Sequence, residues 1–506
     1  MTVAVVYSRA NSGIDAPAVT VEAHVSGGLP RFSIVGLPET VVKESKDRVR
    51  SAILDANFTF PATRITVNLA PAELPKQGGR FDLPIALSIL AASRQIPMDQ
   101  LDQYEFAGEL ALSGHVRPIQ GALPFALAAA GQHRTLVLPA ENMEEAAIVQ
   151  NIELLPARHL LEVCQHFCSP GQVDKQLRPY QHSSTPANLN YEQDLGDVQG
   201  QHQARRALEI AAAGSHSLLM SGPPGSGKTM LASRLPSILP PLSRQEALKT
   251  AAVQSILGKK IDPYRWQQRP FRAPHHTASA PALVGGGNPP TPGEISLAHN
   301  GILFLDELPE YSRRVLETLR EPMESGHIII SRAGWQTYFP AKFQLIAAMN
   351  PCPCGYHGSN IQSCRCSHEQ IMRYKNRLSG PLLDRIDLHI EVAPLALQDY
   401  KNKKSQQENS LTVRQRVIQA REMQHHRQKK YNAELNVAEI EQYCHLPAAE
   451  EQLLLEAIQK LGLSMRSYHK ILKVARTLAD LAETQQITRV QLLEALSYRK
   501  IERNVG

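Results

Sequence analysis

Over the first third of the chain, short apolar runs with β-type spacing alternate with stretches of helical periodicity. Residues 18–25 and 64–68 read as strands, and residues 83–93 and 123–130 as helices, which predicts an α/β domain over 1–171. The run QVDKQLRPYQHSSTPANLN is polar, contains prolines and has no apolar period, so 172–190 reads as a linker. From 191 to 397 strand and helix alternate again, with isolated apolar runs HSLLM, GILFLDE and FQLIAAMN. Runs this short and this uniformly apolar suit strands buried on both faces of a parallel sheet. After a polar stretch at 401–410, apolar residues recur at helical spacing through 413–424, 449–461, 468–481 and 489–498. This predicts an all-helical C-terminal domain over 398–506.

A length of 506 residues exceeds what one core organises, and 42% hydrophobic with 20% charged residues describes an ordinary globular protein. The net charge of +6 is compatible with a polyanionic partner without requiring one. The first residues lack a basic segment followed by an apolar one, and no stretch offers about 18 uninterrupted apolar residues. A cytoplasmic protein with no membrane partner is expected. Seven cysteines in so long a chain do not make a disulfide framework, and four of them crowd between 352 and 366.

The octapeptide Gly222-Pro223-Pro224-Gly225-Ser226-Gly227-Lys228-Thr229 fits the G-x-x-x-x-G-K-[ST] phosphate loop and lies between an apolar strand and a helix-forming segment. Its glycines let backbone N–H groups turn toward phosphates, Lys228 neutralises the β/γ oxygens, and Thr229 ligates Mg²⁺. Downstream, the apolar run Ile302-Leu303-Phe304-Leu305 ends in Asp306-Glu307. Asp306 suits a Mg²⁺ partner and Glu307 a base for the attacking water. Asn350, closing a third apolar strand, is read as a sensor of the γ-phosphate, with an Asn-Pro turn as the plainer alternative. ATP and Mg²⁺ are therefore the expected cofactors.

Cys352, Cys354, Cys364 and Cys366 form C-x-C, a nine-residue loop and a second C-x-C. Four thiolates suit tetrahedral Zn²⁺, although C-x-x-C is the commoner spacing and reduced surface thiols are the alternative. His275-His276 has no cysteine or carboxylate at ligand spacing beside it and is assigned no metal role. Arg414, Arg416, Arg421, Arg427, Lys429 and Lys430 decorate one expected helix and its end, as either a phosphate-tracking surface or an ordinary solvated face.

The strings GLPRFSIVGLPETVVKESKDRVRSAI, FRAPHHTASAPALVGGGNPPTPGEISLAHNGILFLDELPE and LKVARTLADL resemble the ComM (YifB) family, and the likeness covers nearly the whole chain. The resemblance implies a P-loop AAA+ core of the magnesium-chelatase-like branch with a C-terminal helical lid, preceded by a Lon-protease-like α/β domain. In that branch, Arg385 of LLDRID resembles an arginine finger acting in the adjacent subunit's site, with a local pair to Asp384 or Asp387 as the alternative. Arg466 matches a sensor-2 arginine, whereas Lys470 stands where a further arginine would be expected. PKQGGRFDLPIAL and GELALSGHVRPIQGALPFALAAAG resemble the Lon proteolytic fold. Arg80 and Phe125 stand where its serine and lysine belong, which implies an inactive protease. The segments 328–332 and 336–340 read as a hairpin that, in this branch, faces a ring pore. Arg332 and Trp335 would there grip phosphate and base; packing of the hairpin on its own subunit is the alternative.

The resemblance implies an ATP-dependent, ring-forming and hexameric DNA helicase or translocase that promotes branch migration in natural transformation. The alternatives are a chelatase-like ATPase that remodels a protein partner and a non-motor DNA-binding scaffold.

Overall fold

Strand β2 (Ala18–Ser26) shows why the N-terminal residues form a sheet: Val19, Val21 and Ala23 are buried while Thr20, Glu22 and His24 between them are partly exposed. Period-two burial of this kind fixes a strand with one face on a core. The computed structural model describes residues 2–36, 40–169, 171–181, 191–332, 335–358, 362–394 and 407–499. Strand β1 (Thr2–Arg9) precedes β2, and β3 (Arg31–Val35), β4 (Arg64–Ala70), β5 (Tyr104–Phe106), β6 (Thr135–Pro139) and β7 (Leu154–Ala157) follow it. They assemble in the order β3-β4-β2-β1-β5-β6-β7. Pairing is antiparallel between β1 and β2 and between β2 and β4, and parallel elsewhere. The helix Asp82–Ala92 is buried along its whole length against this sheet.

The chain folds as two compact units, and the first is not continuous in sequence. It comprises Met1–Asn188 together with Ala247–Trp266 and Ile329–Phe339, two stretches that lie within the 191–397 region of the sequence. Ala251 and Ile261 join a cluster with Phe125 and Leu136, and Leu123 N–H donates to Ser255 Oγ at 3.3 Å. The hairpin His327–Arg332/Trp335–Pro340 is present. Its Phe339 is fully buried, and a Cβ on Gly13 would lie 2.4 Å from the Tyr338 carbonyl oxygen. The base of the hairpin is therefore packed within its own chain. The side chains of Arg332 and Trp335 lie outside the described residues.

Arg80 is buried, donating from Nη1 to Asn11 Oδ1 at 2.7 Å and from Nη2 to the Gln120 carbonyl. Burial brings its pKa down to about 10. Phe125 is a fully buried core side chain. Neither position offers a nucleophile or a base.

The second unit (Leu189–Glu246, Gln267–Ile328, Pro340–Gly506) is built on β8 (Leu218–Ser221), β9 (Phe271–Arg272), β10 (Ile302–Leu305), β11 (Gln344–Met349) and β12 (Leu388–Glu391). The order is β9-β10-β11-β8-β12, parallel throughout. Every residue of β8, β10 and β11 is buried, which is why these strands read as continuous apolar runs. One core continues from this sheet into the C-terminal helices, joining Met220, Phe304 and Ile390 to Val417, Leu454, Leu478 and Leu492. Among the described residues no helix is long and apolar enough to cross a membrane.

Candidate nucleotide site

Parallel strands that end together present their C-terminal edge as a crevice. Register pairs Ser221 with Met349 and Leu305 with Ala347, so the phosphate loop, Asp306-Glu307 and Asn350 emerge at one edge. Gly225 and Gly227 take φ of 75° and 87°, values that L side chains resist, and thereby turn the loop back on itself. Gly227 caps the helix Lys228–Ile238 and supplies no side-chain acceptor, which leaves the first-turn N–H groups for an anion. Ser226 Oγ is buried and, among the described residues, has no partner. An orphaned hydroxyl beside free helical N–H groups fits a phosphate.

Lys228 is buried, and its Nζ donates to the carbonyls of Gly222 and Pro223 at 2.8 and 3.0 Å and to Asn350 Oδ1 at 3.2 Å. Burial lowers its pKa, and the nearby Asp306 and Glu307 carboxylates offset part of that shift. Thr229 Oγ1 donates to Asp306 Oδ2 at 2.7 Å. Hydroxyl and carboxylate thus sit as a pair of oxygen donors for Mg²⁺. Glu307 holds a left-handed backbone with φ 52°, a conformation that disfavours an L side chain by about 1 kcal/mol. Its N–H donates to Asp306 Oδ1 at 2.9 Å, and its Oε2 lies 3.1 Å from His276 Nδ1. The structure thus gathers Lys228, Thr229, Asp306, Glu307 and Asn350, all expected from sequence, in one place.

Arg385 and Arg466 take no part in those contacts and meet instead at one acid. Arg385 Nη2 is 2.7 Å and Arg466 Nη2 3.6 Å from one carboxylate oxygen of Glu324, and Arg385 Nη1 donates to the Pro381 carbonyl at 2.7 Å. Glu324 is therefore the acid of Arg385, in place of the Asp384 or Asp387 weighed from sequence. Asp387 pairs instead with Lys470, whose Nζ also donates to the Arg385 carbonyl at 2.7 Å. Burial alone would raise the Asp387 carboxyl; the Lys470 ammonium, with His216 beside it, holds it well below the usual carboxylate range. Lysine at 470 thus fastens the helix Met465–Leu481 to the segment that carries Arg385.

The four cysteines converge. Their Sγ atoms all lie within 4.8 Å of one another, with Cys352–Cys354, Cys352–Cys364 and Cys354–Cys364 at 3.4, 3.7 and 3.6 Å. A tetrahedral Zn–S₄ centre has S···S edges of about 3.8 Å, so the donor set fits zinc. Backbone N–H groups of Tyr356 and Arg365 bring the Cys354 thiol down to about 6, while Cys364 and Cys366, beside the other sulfurs, are pushed up. The metal-free cluster thus favours a thiolate at Cys354 and not at all four positions. Gly355, next to Cys354 in this loop, has φ 84°, and a Cβ there would meet Pro224 Cδ at 2.5 Å. The cysteine loop thus leans on the phosphate loop.

The basic helix Ser410–Gln428 has its charges engaged within the unit. Arg414 donates to the Ser237 carbonyl at 2.8 Å, Arg416 to Glu209 at 2.6 Å, and Arg421 to the Ala212 carbonyl at 2.9 Å. Arg421 also lies 4.4 Å over the Tyr431 ring, and Arg427 pairs with buried Asp480 at 2.8 Å. Of the two readings the sequence allowed, a phosphate-tracking surface is not what these arginines form. Glu324 and His276 are the site residues that sequence reasoning missed.

Residues 194–400 match the family described as magnesium chelatase, subunit ChlI, and residues 407–499 match the C-terminal region of that subunit. Residues 21–142 match a third family, described as subunit ChlI of Mg-chelatase. The chain is 52% identical to the competence protein ComM of Haemophilus influenzae over 99% of its own length and 98% of that protein's. It is 50% identical to YifB of Escherichia coli over the same shares. The magnesium-chelatase 67 kDa subunit of Heliobacterium mobile is 25% identical over 32% of this chain and 29% of its own. With its phosphate loop, acid pair and helical lid matched end to end, the chain belongs to the ComM/YifB family of magnesium-chelatase-type AAA+ proteins.

Proposed function

We propose that the protein is an ATP-hydrolysing ring translocase that moves DNA and drives branch migration during natural transformation in the cytoplasm. Lys228, Thr229 and Asp306 bind Mg-ATP, with the backbone of 222–227 wrapping the phosphates. Glu307 activates the attacking water, and Asn350 orients it at the γ-phosphate. The observation that carries the reading concerns charge. Among the described residues, none of the hydrogen bonds or ion pairs of Lys228, Thr229, Asp306, Glu307 and Asn350 involves an arginine. Arg385 and Arg466 instead share Glu324. A phosphoryl-transfer site needs a further cation for the charge that develops on the γ-phosphate. A neighbouring protomer in a hexameric ring supplies it through Arg385, with Arg466 reading the γ-phosphate from the lid. Cys352, Cys354, Cys364 and Cys366 hold a structural Zn²⁺ that leaves no open coordination position. The N-terminal domain is a Lon-type fold reused without protease chemistry, since Arg80 and Phe125 cannot act as nucleophile and base.

That DNA is the polymer rests on the competence protein of H. influenzae, to which the chain is 52% identical. A protein-remodelling ATPase is the second reading, favoured by the chelatase description of the matched families. The discriminating assay is unwinding of forked and four-way DNA with ATP, compared between wild type and Lys228→Ala. Unwinding lost in the variant supports the motor. Unwinding that survives it refutes the motor, and stimulation of hydrolysis by a protein but not by DNA favours the second reading.

A further inference from the structure

His275-His276 is a motif that neither metal binding nor the phosphate loop absorbs. Its place follows from sheet register. Strand β9 pairs in parallel with β10, with Arg272 opposite Leu303. Counting four residues onward from each partner reaches His276 on one strand's exit and Glu307 on the other's, so the two leave the sheet side by side. The contact is direct: His276 Nδ1 lies 3.1 Å from Glu307 Oε2. A carboxylate can only accept, so any proton shared across this contact comes from the imidazole.

The histidine is itself fixed on two sides. The His275 ring lies against it with centroids 4.1 Å apart, and His275 is held by Thr277, whose Oγ1 is 2.9 Å from its Nδ1. Tyr311 meets His276 edge-on at 6.5 Å, and the Tyr311 hydroxyl donates to the Pro274 carbonyl at 2.5 Å. The framing acts on the histidine, whose side chain is 30% exposed, while Glu307 beside it is half-exposed. Glu307, in turn, holds a left-handed backbone, and among the described residues His276 is the partner of its carboxylate.

We propose that His276 is a positioning residue for hydrolysis, holding Glu307 Oε2 so that Oε1 is directed at the attacking water. In the step it serves, the water oxygen bonds the γ-phosphorus and the bond from that phosphorus to the ADP oxygen breaks. The water's proton passes to Glu307 Oε1. His276 touches neither water nor phosphate; it acts through the acid. The inference rests on the reading of Glu307 as the water-activating base. Because His276 lies at the start of the 273–293 segment, the same contact links that segment's conformation to the base.

Steady-state ATP hydrolysis and ATP-analogue affinity by the full-length protein test this, using His276→Ala, His276→Asn, Glu307→Gln and the double variant His276→Ala/Glu307→Gln. His276→Ala lowers kcat about ten- to a hundredfold with KM and analogue affinity within about twofold of wild type. His276→Asn restores most of the rate, because its amide N–H can stand where Nδ1–H did. The double variant is no slower than Glu307→Gln alone. A wild-type kcat in His276→Ala, a further loss in the double variant, or an alanine variant that fails to bind nucleotide overturns the proposal. If Glu307→Gln itself hydrolyses ATP at the wild-type rate, it is the assignment of the base that fails, and that outcome is distinct.

Discussion

Replacing Lys470 with methionine keeps an unbranched side chain of similar length and removes one charge from a buried pair. Lys470 and Asp387 side chains are 15% and 9% exposed, and Asp387 also accepts from Ser217 N–H at 3.0 Å. Methionine leaves that carboxylate buried without its cation, which is expected to destabilise the second unit by about 3–5 kcal/mol near neutral pH. For a unit of this size that lowers the melting midpoint by roughly 6–12 °C. The pH dependence carries the sharper signature. In the wild type Asp387 titrates well below its unfolded value, so its pairing stabilises fully above about pH 4 and is lost as pH falls toward the folded pKa. In Lys470→Met the ammonium that opposed burial is gone, and burial, offset only by His216 and the Ser217 donors, raises the carboxyl, which can then protonate in the folded state at higher pH than in the wild type. The deficit is therefore largest near about pH 7.5 and narrows by about pH 4.5, as urea unfolding of both proteins at the two pH values would show. A deficit under about 1 kcal/mol at neutral pH, or one that does not change with pH, refutes the reasoning.

Zinc content by mass spectrometry of the metal should be one ion per chain, falling to none in Cys364→Ser/Cys366→Ser with a lower melting midpoint. A metal-free wild type that melts no lower than the zinc-loaded protein contradicts the centre. Arg427→Met removes one of the cations on Asp480, where Arg476 remains at 3.0 Å. It should reduce stability by about 1–2 kcal/mol while leaving the salt dependence of DNA binding unchanged. A log–log salt slope shallower by about 1 would return that arginine to the phosphate-binding surface. Glu307→Gln should lower kcat by about a hundredfold or more while retaining ATP affinity, measured by single-turnover hydrolysis and equilibrium binding.

The AAA+ core was legible because its strands are buried on both faces. ILFL and QLIAAM could not be anything but core, and the phosphate loop and acid pair sit at their ends. Strand β12 escaped notice, since four residues that include the buried His389 carry too little periodicity. The fold of the two units was only partly readable. Ala251 and Ile261 sit in the AAA+ stretch of the sequence, yet their burial depends on Phe125 and Leu136 more than a hundred residues away. The same distance misled the reading of charge. Arg416 and Arg427 look solvated or phosphate-facing along their helix until Glu209 and Asp480 are brought to them. Glu324 was invisible as the partner of Arg385 and Arg466 for that reason. His276 could have been found, because its position follows from the register of two strands, one of them only two residues long.

The claim on which the account rests is that each site is finished by another copy's Arg385. Lys228→Ala has no working site of its own but still supplies Arg385, whereas Arg385→Ala keeps its site and lacks the finger. Each alone should be inactive. Mixed in equal amounts under assembly conditions, random neighbours pair about a quarter of the sites productively, so ATP hydrolysis should return to about a quarter of the wild-type rate. Mixtures that stay as inactive as their components, or an Arg385→Ala protein that hydrolyses ATP at the wild-type rate by itself, contradict it.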